Sequence, residues 1–220
     1  AVVKANVKVW PHKVVEDGAV LSSSLIWGEK WARSLFGAYG IVGLANIEIS
    51  PEFAAKLGAA YAATFGRKVV ISTSRDSHKA SRMINRAIMT GMLSVGVDVH
   101  DYGVTPLPVV RFLARSHRDE RGGVHTRKSP FNPSFVDLKF FDDSGLDLPM
   151  GLEKNIENLF FREDFVRADI DETGGITFPV GGFDLYVDGF IKSVDAKAIA
   201  ARNYNIVLDY SYGSSSVIFP

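Results

Sequence analysis

From Ser50 to Thr126 the chain alternates helix-like and strand-like segments joined by short connections, and that alternation restricts the fold more than any other feature. Ser50-Pro51-Glu52 opens a helix: a capping hydroxyl, a proline at the first helical position, and an acid near the positive end of the helix dipole. Phe53, Leu57, Tyr61 and Phe65 follow at steps of four, and Gly66 supplies the stop. Lys68–Thr73 reads as a buried strand. Met83, Ile84, Ala87, Ile88, Met92 and Val95 place one apolar face on a helix over Ala80–Val95. Val97–Tyr102 is a second strand, Thr105-Pro106 starts another helix, and Gly122–Thr126 is a further strand. Leu138–Phe141 and Leu146–Leu148 flank Asp142-Asp143-Ser144-Gly145, which reads as a hairpin. Leu152, Ile156, Leu159 and Phe160 define an amphipathic helix. The predicted class is α/β: a three-layer α/β/α domain with a mixed, largely parallel sheet over residues 31–165.

The ends read differently. In residues 1–30, Val3, Val9, Val15, Leu21 and Trp27 recur at a step of six, with Gly18 and Gly28 between. That period marks a hexapeptide β-helix, in which each coil face is one short strand. The alternative is an ordinary pair of strands with a chance period. Such a helix needs about three coils, so the segment reads as the tail of something longer or as a piece that pairs with another chain. Residues 166–182 carry a Gly-, Asp- and Thr-rich stretch and read as a linker. Residues 183–220 read as the start of a second α/β domain: helices over Phe183–Val194 and Ala196–Arg202, then a strand over Asn205–Asp209. A domain that opens and then stops at Pro220 reads as a truncation.

Composition removes several function classes. The 25 basic and 25 acidic residues cancel and are well mixed, so there is no electrostatic case for nucleic acid or an anionic membrane surface. No apolar run approaches the ~18 residues of a membrane span. The absence of cysteine excludes a disulfide scaffold and a cysteine–zinc site, and makes a cytoplasmic location the default expectation.

In an open α/β sheet, ligands bind outside the carboxyl ends of the strands. Three loops leave such ends: Ser74–Lys79, Gly103–Pro108 and Arg127–Pro133. The first and third combine hydroxyls with Arg75, His78, Arg127 and Lys128, a mixture suited to phosphate. The alternative is that Ser-Pro and Asn-Pro build turns and the basic residues are solvated. Asp142, Asp143 and Asp147 are better explained by a turn than by a metal. Asp169, Asp171 and Glu172 read as linker charge. His12, His100 and His117 read as isolated, none with a partner at metal-ligand spacing, and Trp10, Trp27 and Trp31 as packing residues.

Phe36-Gly37-Ala38-Tyr39-Gly40-Ile41-Val42-Gly43, Ser74-Arg75-Asp76-Ser77 and Gly96 through Pro108 (GVDVHDYGVTPLP) resemble, in order and spacing, the first-domain motifs of the α-D-phosphohexomutases. That is the family of phosphoglucomutase and phosphomannomutase. Tyr204–Ser216 resembles the strand and glycine turn that open the family's second domain. The resemblance implies a loop serine, matched by Ser129, that carries a phosphate and passes it to a sugar hydroxyl. It implies Lys139 as electrostatic support, Arg127, Lys128, Arg75 and His78 as phosphate or substrate contacts, and a phosphosugar as substrate. It also implies Mg²⁺, with Ser129 as one ligand and the others in a loop after Pro220.

The departures from the family pattern are specific. Ser129 is followed by Pro130, Phe131, Asn132 and Pro133 where the family has serine-histidine-asparagine-proline. Val42 stands for an arginine beside the serine, His78 for the second arginine of the GRDxR motif, and Val136-Asp137 for asparagine-glycine. The hexads, together with HTRKSPFNP (125–133) and LEKNIENLFFREDF (152–165), resemble the mutase-like C-terminal region of fused mannose-1-phosphate guanylyltransferase-type nucleotidyltransferases. Two functions follow as expectations. One is phosphosugar interconversion through Ser129. The other is a catalytically degenerate regulatory or assembly module, in which residues 1–30 form an oligomer or contact a transferase domain.

Overall fold

Ser50 caps its helix as its residue type predicts: its hydroxyl accepts a hydrogen bond from Phe53 N at 3.3 Å, and Pro51 opens the helix. The computed structural model describes residues 2–5, 7, 9, 18, 20–21, 34–211 and 213–218. The order is β1 (Val2–Val3), β2 (Val20–Leu21), β3 (Ile41–Leu44), α1 (Pro51–Ala63), β4 (Val70–Arg75), α2 (Lys79–Leu93), β5 (Asp98–Val104), α3 (Leu107–Ser116) and β6 (Glu120–Lys128). There follow β7 (Phe135–Asp142), α4 (Met150–Arg162), β8 (Ile176–Thr177), α5 (Gly182–Ser193) and α6 (Ala196–Ala201).

One six-stranded sheet runs β3-β7-β6-β4-β5-β8. β6, β4, β5 and β8 are parallel, and β7 lies antiparallel between β6 and β3. Helices cover both faces. On one face α1, α2 and α4 bury Leu57, Ile84, Ile88, Met92, Ile156 and Phe160 against Ile71, Val124 and Leu138. On the other, α3 brings Val110 and Ala114 onto Phe141. Phe140 and Phe141 therefore serve opposite faces, as the period of two in a strand requires. Tyr61 reaches from α1 into the sheet and donates to the carbonyls of Gly123 at 3.2 Å and Phe141 at 3.0 Å, so its buried hydroxyl is satisfied.

The chain reverses across Asp142–Gly145 as expected, held by an antiparallel Phe141–Asp147 bridge and by Asp142 N donating to Leu146 O at 2.9 Å, although the long partner of Leu138–Phe141, inside β7, is β6. Two expectations need correction. The stretch read as a linker contains β8, which extends the sheet beyond β5. The segment Asn205–Asp209 does not form a strand: among the described residues none pairs with it, Val207 is 97% exposed, and an unpaired strand is unstable alone. Of residues 1–30, β1 and β2 pair in parallel, while Val15, Trp27, Trp10 and His12 lie outside the described residues, as does Trp31. No helix among the described residues is long and apolar enough to cross a membrane.

The α1–α2 contact is backbone on backbone. A Cβ placed on Gly58 would lie well inside 3.0 Å of the Ile88 carbonyl oxygen, and one on Gly91 equally close to the carbonyl oxygen of Ala55. Neither atom can yield without moving a helix. Gly58→Ala should therefore destabilise the fold by about 1–3 kcal/mol in urea unfolding, because overpacking outweighs the ~1 kcal/mol gained in helix propensity. Gly151→Ala, with nothing within 4 Å of its new methyl, should be neutral or slightly stabilising in the same measurement.

Candidate functional site

The carboxyl ends of β4, β5 and β6 are tied together by backbone and carboxylate hydrogen bonds. Asp76 N donates to Thr126 O at 3.1 Å, and Thr105 N to Arg75 O at 3.2 Å. The Asp76 carboxylate accepts from His78 N at 2.9 Å and from Lys128 N at 2.7 Å, and so clamps the first loop to the third. Sequence reasoning gave Asp76 no role. Its position two residues before a helix cap is the signal that could have found it.

Ser129 follows directly on β6. Its N–H donates to Phe135 O at 2.9 Å, closing the loop onto β7, and the residue is 5% exposed. Its Oγ accepts from Phe131 N at 3.4 Å. Asn132 shapes the loop by accepting from Ser134 N at 3.0 Å. Ser129 lines an open groove of about 440 Å³ with Tyr39, Val42, Phe131 and Asn132. The Tyr39 and Phe131 rings meet at 5.4 Å across it. Gly40 shapes the facing turn: its φ is +87°, and any Cβ there would overlap the Leu138 carbonyl. Glu157 of α4 anchors that turn's entry, accepting from Leu35 N at 2.6 Å and Phe36 N at 3.1 Å.

Lys139 sits on β7 opposite His125, with its amine 5.2 Å from the centre of the Tyr39 ring. Burial pulls its pKa down, and the nearby Arg127 adds to the effect. Arg127 is not free for a phosphate. Its Nε and Nη2 both donate to Asp137 Oδ2 at 3.3 Å, from directly across the β6–β7 ladder. Val42 pairs with Asp137 on the other side, so Val42, Asp137 and Arg127 form one transverse row. Asp137 Oδ1 is buried and accepts no hydrogen bond among the described residues. The Lys128 side chain is exposed and makes no ion pair among the described residues.

Arg75 donates to the Asp76 carbonyl at 2.9 Å, and burial lowers its pKa, with Arg82 contributing. His78 caps α2, its Nδ1 accepting from Ala80 N at 3.2 Å, which places the proton of the neutral ring on Nε2. The sequence placed Arg75, His78, Arg127, Lys128, Ser129 and Lys139 in one site. The structure puts all six on the loops and strands at this end of the sheet, but commits His78 to a cap and Arg127 to an ion pair. Asp142 closes its turn by accepting from Ser144 N at 3.0 Å and Leu146 N at 2.9 Å, and Asp147 pairs with Arg111. His100 and His117 are not isolated as expected: both face the buried Glu120.

A hard cation wants about six oxygen ligands, near-octahedral for Mg²⁺. The loop offers the Ser129 hydroxyl, while both Asp76 oxygens hold backbone N–H groups and Asp137 holds Arg127. The described residues do not by themselves fit Mg²⁺.

Residues 33–167 match the family description "Phosphoglucomutase/phosphomannomutase, alpha/beta/alpha domain I". The chain belongs to this family. It is 34% identical over 190 residues to a phosphoglucomutase/phosphomannomutase of Thermococcus kodakarensis, covering 84% of this chain and 41% of that protein. It is 32% identical over 180 residues to a phosphoglucosamine/phosphogalactosamine mutase of Sulfurisphaera tokodaii, covering 80% and 38%. The chain thus spans about two fifths of the length of these relatives. Among solved structures, a Burkholderia thailandensis phosphoglucomutase/phosphomannomutase family protein superposes with a TM-score of 0.61 at 20% identity, over 73% of this chain and 36% of that one. The Paramecium phosphoprotein parafusin gives 0.62 at 13% identity, over 86% and 40%. These likenesses show the same fold.

Behind the site, Ser74 Oγ and His125 Nδ1 lie 2.8 Å apart across β4 and β6. Burial, more than any other cause, pushes the His125 pKa from 6.5 down to about 4. Between those values the unfolded chain takes up a proton that the folded chain refuses, so stability falls as pH drops from 6.5 toward 4. At about 1.4 kcal/mol per unit the loss is roughly 3 kcal/mol. Urea unfolding at a series of pH values should show that slope in the wild type and a shallower one in His125→Asn.

Proposed function

We propose that this chain forms the phosphoryl-transfer half of a phosphosugar site, with Ser129 as the residue that carries the phosphate. The observation that supports it most directly is the seat of Ser129. Its backbone is fixed between β6 and β7 at the carboxyl end of the parallel strands, beside a groove. A phosphate on Oγ would pass to a sugar hydroxyl: the Oγ–P bond breaks, a new O–P bond forms, and the hydroxyl proton leaves to a base. The regained phosphate comes from the other end of the resulting bisphosphate. Lys139 would support the charge electrostatically, and Arg75 would add a cation at the neighbouring loop. Relatives described as phosphoglucomutase/phosphomannomutase and phosphoglucosamine mutase support a hexose or hexosamine phosphate as the substrate class. Mg²⁺ would need most of its ligands from residues other than those described.

A second reading is favoured by a separate observation. Asp137 neutralises Arg127, and Val42 contributes no charge to the row they share. A phosphate would have to compete with a buried carboxylate for its guanidinium. This is what a degenerate, non-catalytic module of a sugar nucleotidyltransferase would look like. Val2 and Val20 pair in parallel at a spacing of eighteen residues, three hexads, which supports a β-coil in residues 1–30 through which such a module would assemble.

A coupled mutase assay on the full-length parent protein, with mannose 1-phosphate and glucose 1-phosphate, separates the two. Under the first reading, Ser129→Ala lowers turnover by about three orders of magnitude or more, and mass spectrometry finds a phosphoryl group on Ser129 that the variant lacks. Absence of turnover from a folded protein, with nucleotidyltransfer unaffected by Ser129→Ala, establishes the second reading instead.

A further inference from the structure

At the opposite end of the sheet from Ser129, three metal-binding side chains converge. His100 of β5, His117 between α3 and β6, and Glu120 at the start of β6 place one ligand atom each within 4.8 Å of one another. We propose that they form a Zn²⁺ site, which stands independently of any phosphosugar function.

The geometry is close to what zinc needs. His100 Nδ1 lies 2.8 Å and His117 Nδ1 3.6 Å from Glu120 Oε1. Ligand atoms about 2.1 Å from a tetrahedral zinc lie about 3.4 Å apart, close to both histidine–Glu120 separations. Two imidazoles and a carboxylate are a recurrent zinc set, and a fourth position remains open. The carboxylate is already oriented by its neighbours. Tyr102 donates its hydroxyl to Oε1 at 2.6 Å, and Ser72 donates to Oε2, an arrangement that fixes a metal-binding oxygen from behind.

Charge burial supplies an independent argument. The Glu120 side chain is fully buried, yet no lysine or arginine pairs with it among the described residues. A buried carboxylate without a full cation is costly, and a dication between it and two neutral imidazoles removes that cost. The open position faces a groove of about 630 Å³ lined by His117 and Glu120 together with Arg115, Arg118, Asp143 and Ser144. The two arginines are exposed and solvent-screened. The groove gives the ion a path in and a water or small anion a place on it. Because His117 precedes β6 while His100 lies on β5, the ion would cross-link strands on either side of β4, at the amino ends of the parallel strands.

The test uses the 220-residue chain stripped with a chelator and held in excess Mg²⁺. Co²⁺ titration should give one equivalent with the visible absorption of a four-coordinate site, displaced by Zn²⁺, and raise the melting temperature. His117→Ala and His100→Asn should each weaken binding about a hundredfold, while Ser129→Ala leaves it unchanged. X-ray absorption on the zinc-loaded wild type, which needs no variant, should show two imidazoles. No saturable binding, one equivalent that survives both histidine substitutions, or fewer than two imidazoles overturns the proposal.

Discussion

The functional end of this molecule depends on one antiparallel strand. β7 sits between β6 and β3, so the chain must turn back immediately after β6 through Ser129–Ser134. That reversal pulls Ser129 N onto Phe135 O and holds the serine at the sheet's end instead of letting the loop drift into solvent. It also brings in the segment Phe36–Val42, far away in sequence, as the wall opposite the serine. The Gly40 turn can approach only because no side chain stands between its backbone and the Leu138 carbonyl. A parallel β7 would have needed a crossover of a dozen or more residues, and Ser129 would then lie on an ordinary surface connection.

The two faces of the sheet differ in kind. The face under α1, α2 and α4 is largely apolar, closed by the glycine contact between α1 and α2 and by the edge-to-face rings of Phe36, Tyr61 and Phe140. The face under α3 carries Ser72, Ser74, His100, Tyr102, Glu120 and His125, joined in pairs or chains by hydrogen bonds. Buried polar groups are tolerated only when satisfied, and these satisfy one another. The chain therefore holds two polar centres on one mixed sheet, the serine loop at the carboxyl end of its parallel strands and the histidine–carboxylate cluster at their amino end.

The row Val42–Asp137–Arg127 shows how departures from a family pattern become interdependent. An arginine at position 42 would lie beside Asp137 and compete with Arg127 for the same carboxylate. With valine there, Asp137 and Arg127 satisfy each other except for Oδ1. In the sequence Val42 and Asp137 look like two separate substitutions. In the sheet they form one electrostatic unit with Arg127, and its net effect is to keep that partly buried cation engaged.

The sequence by itself determined the class and most of the elements. Apolar residues at steps of four along α1 and α2, the Ser50-Pro51 start and the short connections left few alternatives to an α/β sheet; the loops at the strand ends named Arg75, His78, Arg127 and Lys128, and the family resemblance added Ser129 and Lys139, before any geometry. Those signals are local, carried within one helix turn or one strand. What only the tertiary structure decided involves residues far apart in the chain. The segment read as a linker gained β8 because β5 offered it an open edge, and Asn205–Asp209 formed no strand because none of the described residues pairs with it. His78 became a cap, Asp137 captured Arg127, and His100 and His117 met at Glu120 although no local spacing connects them. Pairing across a sheet is set by register, and register is fixed by the packing of the whole sheet, which no short stretch of sequence contains.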